Sequence, residues 1–115
     1  MFVGHIDDIE KKEIRSPELK DVFKQAPIGP DQGWQDHVMR VFSLKAGGHT
    51  PKHSHPWPHI NYVLKGKGFL HHGGEETPIR SGSVAYVPEG VEHQFVNNSE
   101  DELSFICIVP REGDV

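Results

Sequence analysis

Residues 47–66, GGHTPKHSHPWPHINYVLKG, decide the fold, and they concentrate His53, His55 and His59 within seven residues. A fourth histidine, His93, lies further along the chain in the run PEGVEHQFVN. Side chains at positions i and i+2 of an extended strand point to one face, so His53 and His55 can hold one ion together. Neutral imidazole is the commonest metal ligand in proteins. The pattern therefore predicts a metal site built from two separated segments.

The position of His59 depends on the path of the chain through Pro56 and Pro58. His59 stands an even number of residues after His55, so an extended chain would bring it to the same face. Two prolines favour a turn equally well, and the spacing alone leaves both paths open. A chain with nine histidines can contain a His-x-His pair by chance. Three histidines within seven residues, flanked by prolines, indicate a metal site more strongly than a lone His-x-His pair does.

The two runs resemble the two sequence motifs of the cupin superfamily. The first motif consists of a glycine, His-x-His, an acidic residue and a glycine at set spacings, and it matches at Gly47, His53, His55, His59 and Gly66. The second motif matches at Gly82, Pro88, Gly90, His93 and Asn97. The resemblance implies an all-β fold, the cupin-type double-stranded β-helix or jelly-roll barrel, in a single domain.

One position departs from the cupin pattern. Cupins usually carry glutamate where this chain has His59, so the chain is similar to four-histidine cupins of small, single-domain type. The resemblance implies that His53, His55, His59 and His93 bind one divalent transition metal, which could be Mn, Fe, Ni, Co, Cu or Zn. Replacing a carboxylate by imidazole removes a negative charge beside the ion, and this favours the lower oxidation state.

The rest of the chain shows signals of short strands separated by turns. Alternating or β-branched segments predict strands at residues 38–44, 60–64, 84–87, 94–96 and 103–109. Glycine and asparagine clusters, among them Gly66-Lys67-Gly68 and Gly73-Gly74, predict the turns. Many short strands at this spacing are typical of a sandwich or a small barrel.

The N-terminal part is expected to stand apart from the barrel. We assign residues 1–30 to an N-terminal arm with a candidate edge strand at 22–28, and residues 31–115 to the cupin barrel. Residues 9–20 are the one helix candidate, although Pro17 interrupts them and the segment could equally be part of the arm.

Strand parity predicts further residues of the pocket. If His59 points inward, Asn61 shares its face, and a buried amide there should bond a ligand histidine or contact the substrate. Phe95 lies inward beyond His93, where it either fills the core or lines the pocket. Trp57 either caps the barrel mouth or stacks on a substrate.

Cys107 is placed by a predicted hairpin. A turn at residues 98–102 would set Phe95 opposite Phe105 and His93 opposite Cys107. The thiol would then lie on the same face as the metal, either as a pocket residue or as a small buried hydrophobe.

Composition excludes several classes of partner. A net charge of −5 without a basic cluster argues against nucleic acid and anionic membranes. No apolar run has the length of a signal peptide or of a membrane span, so we expect a cytoplasmic protein. A single cysteine excludes an internal disulfide.

Two classes of function fit this pattern. The resemblance implies a metal-dependent enzyme acting on a small molecule, and we favour an oxidoreductase of the dioxygenase type over a cupin isomerase, because no carboxylate is evident on the inward face to act as a base. The alternative is a non-catalytic module that binds a metal or a small ligand. Single-domain cupins are commonly homodimers, and residues 1–28 are long enough to pack on a second copy.

Overall fold

Extended segments dominate the chain, as the alternating sequence predicts. The computed structural model describes residues 1–114 and contains nine strands, with no α-helix among them. The strands are β1 (Lys12–Ile14), β2 (Lys20–Ile28), β3 (His37–His49), β4 (His59–Lys65), β5 (Lys67–His72), β6 (Glu75–Arg80), β7 (Val84–Val87), β8 (His93–Val96) and β9 (Leu103–Pro110). Three short 3₁₀ turns lie at Ile6–Asp8, Pro30–Gln32 and Arg111–Gly113. The predicted all-β jelly-roll fold is confirmed. No helix in the described residues has both the length and the apolar character needed to cross a membrane.

The strands form one curled sheet around a single core. Their order is β6-β5-β8-β3-β9-β4-β7, and β2 pairs with β3 and with β1. The long strand β3 holds the two parts together, because residues 37–44 pair with β9 while His49 pairs with Val96 of β8. Leu44, Leu103 and Val109 are fully buried inside the curl.

Strand β4 shows how parity directs side chains into this core. His59, Asn61 and Val63 are buried, whereas Ile60, Tyr62 and Leu64 are exposed on the other face. This is the alternation expected of a strand with one face on the core and one in water. It places the end of the histidine run and the neighbouring amide inside the barrel.

The predicted hairpin between residues 94–96 and 103–109 is wrong. Strand β8 pairs with β5 and β3, whereas β9 pairs with β3 and β4, so His93 is not the ladder partner of Cys107. The segment between β8 and β9 is hydrogen-bonded to β3 instead, since the side-chain amide of Asn97 donates to the Leu44 and Lys45 carbonyls. Strand β9 gains eight paired residues on β3, which a short hairpin with the four-residue β8 could not match.

One pair of side chains predicted to meet through that hairpin, Phe95 and Phe105, still meets inside the barrel. The rings of Phe95 and Phe105 stack with centroids 4.1 Å apart, and Cys107 is 5% exposed. Inward parity on each strand is a local property of the backbone, so it survives the change of ladder partner. The contact runs across the core rather than along a ladder.

The N-terminal third also differs from expectation. The helix candidate at residues 9–20 forms no helix, since residues 12–14 form β1, which pairs with β2, and residues 17–18 form a turn. The candidate edge strand at 22–28 is part of β2, which pairs with β3 of the same chain, for example Val22 with Leu44.

Strands β5 and β6 form a hairpin that the sequence analysis did not predict, although it did predict the turn between them at Gly73-Gly74.

Candidate metal centre

All four histidines of the two motifs meet at one end of the barrel. The ligating atoms of His53, His55 and His93 lie within 4.8 Å of one another. His59 approaches from β4, with its Nε2 atom 3.0 Å from the Nε2 atom of His93. The ring centroids of His55 and His59 are 5.3 Å apart.

Backbone hydrogen bonds hold the two runs together. The amide of each of His53 and His93 donates to the carbonyl of the other, at 3.1 and 2.9 Å, so the first run lies beside β8. The chain bends at Pro56 and Trp57 before β4 begins. His59 therefore reaches the cluster by a turn and not by a continued strand, which decides the alternative that the spacing left open.

Hydrogen bonds to the Nδ1 atoms determine which tautomer His55 and His93 adopt. His55 Nδ1 lies 2.7 Å from the Trp57 carbonyl, and His93 Nδ1 lies 2.9 Å from the Val91 carbonyl. A carbonyl oxygen can only accept, so these Nδ1 atoms carry the hydrogen and the Nε2 atoms are bare. Their lone pairs are free to bind a metal.

Asn61 determines the tautomer of His59 in the same way, by accepting a hydrogen bond from its Nδ1 atom. Its Nδ2 atom donates to the Ile106 carbonyl at 3.2 Å, which turns its Oδ1 atom toward His59 Nδ1 at 2.6 Å. Asn61 is 2% exposed and lies behind His59, away from the cavity. Of the two roles predicted for this amide, the structure shows the bond to a histidine. Such outer partners orient metal-binding imidazoles and raise their basicity.

The donor set fits a divalent transition metal. His59 and His93 bring two bare Nε2 atoms to 3.0 Å, where two lone pairs repel unless a cation lies beside them. Several imidazoles at this spacing can act as nitrogen ligands to one divalent transition metal.

Burial keeps the rings in the form that binds metals. Burial, followed by the nearby charge of His93, lowers the pKa of His59 to about 3. Burial is also the main cause that lowers the pKa of His53 and of His93. These imidazoles are therefore neutral near pH 7, and a metal need not displace protons from them.

A cavity of about 190 Å³ opens beside the histidines. Trp57, Phe95 and Cys107 line it as predicted residues of the pocket, and Trp57 stacks on His55 with ring centroids 4.9 Å apart. Its other walls are mainly apolar and include Ile14, Leu19, Val22, Phe42 and Phe105. No aspartate or glutamate lines the cavity within residues 1–114. The arrangement can bind a small molecule next to an ion and against mainly apolar walls.

Sequence reasoning missed Arg40, which also lines the cavity and is 8% exposed. It lies on β3 in step with Val38 and Leu44, which are both buried. The same parity that placed Asn61 would have placed this arginine inside the barrel.

Comparison with known families decides which fold family this architecture represents. The cupin domain family matches residues 40–109, which include both histidine runs. The chain is a cupin. Its matched region covers most of the sheet, from β3 through β9.

Among curated proteins, this cupin is 33% identical over 73 residues to an uncharacterised protein of Streptomyces coelicolor, covering 64% of this chain and 70% of that protein. It is 30% identical over 67 residues to the oxalate-binding protein of Thermotoga maritima, covering 57% of this chain and 55% of that protein. The match therefore spans only about half of the oxalate-binding protein.

Among solved structures, the cupin is similar to the polyketide cyclase RemF from Streptomyces resistomycificus, with a TM-score of 0.89 and 28% identity over 96% of this chain and 79% of that one. A predicted oxalate decarboxylase from Thermotoga maritima has a TM-score of 0.86 at 22% identity, over 95% of this chain and 98% of that one. The second likeness shows the fold alone.

Proposed function

We propose that this cupin is a metal-dependent oxidoreductase, of the dioxygenase type, that acts on a small organic molecule at a centre formed by His53, His55, His59 and His93. The observation that carries the proposal is the convergence of these imidazoles, with Nδ1 hydrogen bonds that leave Nε2 atoms available, at a small and mainly apolar cavity. A divalent transition metal bound there would supply Lewis acidity and, when redox-active, one-electron transfer to reactants that bind through oxygen.

The protein's own residues have distinct tasks in this proposal. Asn61 holds His59 in its orientation, and the Trp57 carbonyl does so for His55. The rings of Phe95 and Phe105 form a dry wall against the substrate. Excluding water strengthens electrostatic interactions in the site and suppresses side reactions.

The composition of the cavity wall favours oxidoreduction over isomerisation. Proton-transfer isomerases need a positioned base, and no carboxylate lines the cavity within the described residues. Burial raises the pKa of the Cys107 thiol, which makes it a poor base near pH 7. A reaction that relies on the metal and on ionised groups of the substrate suits this wall better.

A second function is favoured by one comparison. The 28% identity to a polyketide cyclase extends over 96% of this chain, which supports a metal-dependent ring closure in which the ion serves only as a Lewis acid. This reaction needs no redox-active metal. The identity of the native metal therefore separates the two functions.

The test begins with elemental analysis of protein purified without a histidine tag. Iron, manganese, copper, cobalt or nickel at one per chain supports the oxidoreductase, and zinc alone would overturn it in favour of ring closure or of a binding module. Metal-free protein is then loaded with Fe²⁺ or Zn²⁺ and given small phenolic and enolisable acids. We expect oxygen uptake with the iron form only, measured with an oxygen electrode. Equal turnover in both forms would point to Lewis-acid chemistry.

We also propose that the cupin is a homodimer. Ile60, Tyr62, Val84 and Tyr86 are between 47% and 73% exposed on the outer face of β4 and β7. Strand β7 ends the order of the sheet, so two copies can pair these edges about a two-fold axis. The predicted arm is less suited to this role, because its strand β2 already pairs with β3.

Light scattering at micromolar concentration is expected to give twice the mass of the chain. The double variant Val84→Glu, Tyr86→Glu should be monomeric. Pairing two copies would bring the new glutamate side chains of both subunits together, and their negative charges repel. The control is Val3→Glu, at an exposed apolar position outside this face. A wild-type monomer would contradict the proposal.

A further inference from the structure

Arg40 is a buried charge that the proposed metal chemistry does not use. It is 8% exposed, and its guanidinium lies in the cavity wall. Its Nε atom is the one buried side-chain nitrogen or oxygen in residues 1–114 without a hydrogen-bond partner. An arginine remains charged in proteins, and burying it without full pairing is costly. The cavity therefore contains a cation whose partner is incomplete.

The neighbours of Arg40 do not neutralise it. Its Nη2 atom donates to Cys107 Sγ at 3.1 Å, but burial raises the pKa of that thiol and keeps it uncharged. Asp114 Oδ1 lies 3.7 Å from Nη1, beyond hydrogen-bonding distance, and instead accepts from Lys24 Nζ at 2.6 Å. Among residues 1–114, two cations thus share this one carboxylate, which leaves one positive charge in excess.

Arg40 and the histidine cluster face the same cavity. Arg40 pairs with Cys107 across β3 and β9, and Cys107 pairs with Asn61 across β9 and β4. Asn61 in turn bonds His59. The charge of Arg40 is one of the lesser causes that lower the pKa of His59, which agrees with this proximity. A small molecule in the cavity can contact the guanidinium at one end and the histidine cluster at the other.

We propose that Arg40 is the anion-binding residue of the cavity, and that the ligand is a small organic acid whose carboxylate pairs with its guanidinium while the remainder points toward the four histidines. A planar carboxylate matches the guanidinium fork. In the metal-free protein its single negative charge balances the excess positive charge, whereas a phosphate dianion would leave a negative charge among mainly apolar walls. The Phe42 ring centroid lies 4.9 Å from the Arg40 guanidinium carbon, and Phe105 also lines the cavity. These walls suit an acid whose remaining atoms are apolar.

This inference deepens the proposed function, so its test uses metal-free protein and does not depend on turnover. The probe is benzoate, a flat monocarboxylate, compared by calorimetry with its neutral analogue benzamide and with inorganic phosphate. We expect benzoate to bind with a dissociation constant of about 1 mM or below, and both comparison compounds to bind more weakly. Arg40→Gln should weaken benzoate binding by about tenfold or more, since it removes a buried charge partner.

Two further variants keep the test decisive if Arg40→Gln fails to fold. Arg40→Lys should retain part of the affinity, and Asp114→Asn should tighten benzoate binding, because Asp114 competes for the same cations. Arg15→Gln, at a side chain that is 83% exposed, is the matched control and should change nothing. No benzoate binding by the wild type, unchanged affinity in the Arg40 variants, or tighter binding of phosphate would each overturn the proposal. If benzoate binding depends on Arg40 while the metal-loaded protein consumes no oxygen, only the proposed oxidoreductase function fails.

Discussion

Replacing His93 by alanine is expected to lower the affinity for a divalent transition metal by at least about 100-fold. Loss of an outer-shell partner alone typically costs 10- to 100-fold, and His93 supplies a ligand atom in our proposal. Its Nε2 atom lies 3.0 Å from that of His59, so the variant loses one of two donors that lie close together. Titration with Zn²⁺ or Mn²⁺ against a competing chelator measures the change.

Two other variants serve as comparisons for the metal affinity of His93→Ala, one with a smaller expected loss and one with none. Asn61→Leu removes the bond to His59 Nδ1 but leaves all four imidazoles, so its affinity should fall by about 10- to 100-fold. His5→Ala changes an exposed histidine outside the cluster and should have no effect. Equal affinity of wild type and His93→Ala would remove His93 from the ligand set.

The fold of the His93→Ala variant should survive in the absence of metal. Removing His93 relieves the contact between two bare nitrogens but also removes the bond to the Val91 carbonyl, so the metal-free variant should melt close to the temperature of the metal-free wild type. Added metal at about 100 times the dissociation constant of the wild type should stabilise the wild type by about 2.7 kcal/mol and the variant by at most about 0.4 kcal/mol. This difference separates loss of binding from loss of structure.

Gly66→Ala is expected to destabilise the barrel more than any other motif glycine change of this kind. Gly66 has a φ of 85°, and a Cβ atom there would overlap the backbone carbonyl of Glu102. The left-handed backbone costs an alanine about 1–2 kcal/mol, and the overlap should add about 1–3 kcal/mol. Urea unfolding of the metal-free protein measures the sum.

Gly82→Ala is the matched control for this prediction. Gly82 also belongs to a cupin motif and has a φ of 89°, but a Cβ atom there would meet nothing within 4 Å. Its cost should therefore be limited to the backbone term, about 1–2 kcal/mol. If the two variants unfold at the same urea concentration, the close approach of β4 to the Glu102 segment does not contribute to stability.

Local periodicity explains what sequence reasoning predicted well. His53 and His55, two residues apart in an extended segment, have ligating atoms in one cluster. Asn61 is buried in step with His59, as the period of two requires. Strands β3, β4, β7, β8 and β9 lie where alternation predicted them. The spacing of the two motifs was enough to indicate a cupin before any distance was known.

Strand pairing explains where the sequence reasoning was wrong. The same alternation in residues 94–96 and 103–109 is compatible with a hairpin and with two strands on different neighbours. Which pairing forms depends on the other strands available. Strand β9 pairs with β3 through eight residues, and the Asn97 side chain also donates to a carbonyl of β3, so the pairing with β3 is preferred over the hairpin. The hydrogen bonds that decide it join residues more than fifty positions apart.

The sequence by itself determined the family, the histidines and the inward parity, because these follow from motif spacing and from a backbone period of two residues. Only the tertiary structure decided that His59 arrives by a turn and that Asn61 bonds it. It also brought Arg40 close to Asp114, 74 positions later in the chain, and left Arg40 Nε unpaired in the cavity. Contacts of this kind depend on how the whole sheet curls and on which groups it buries, and no local pattern of residues records either property.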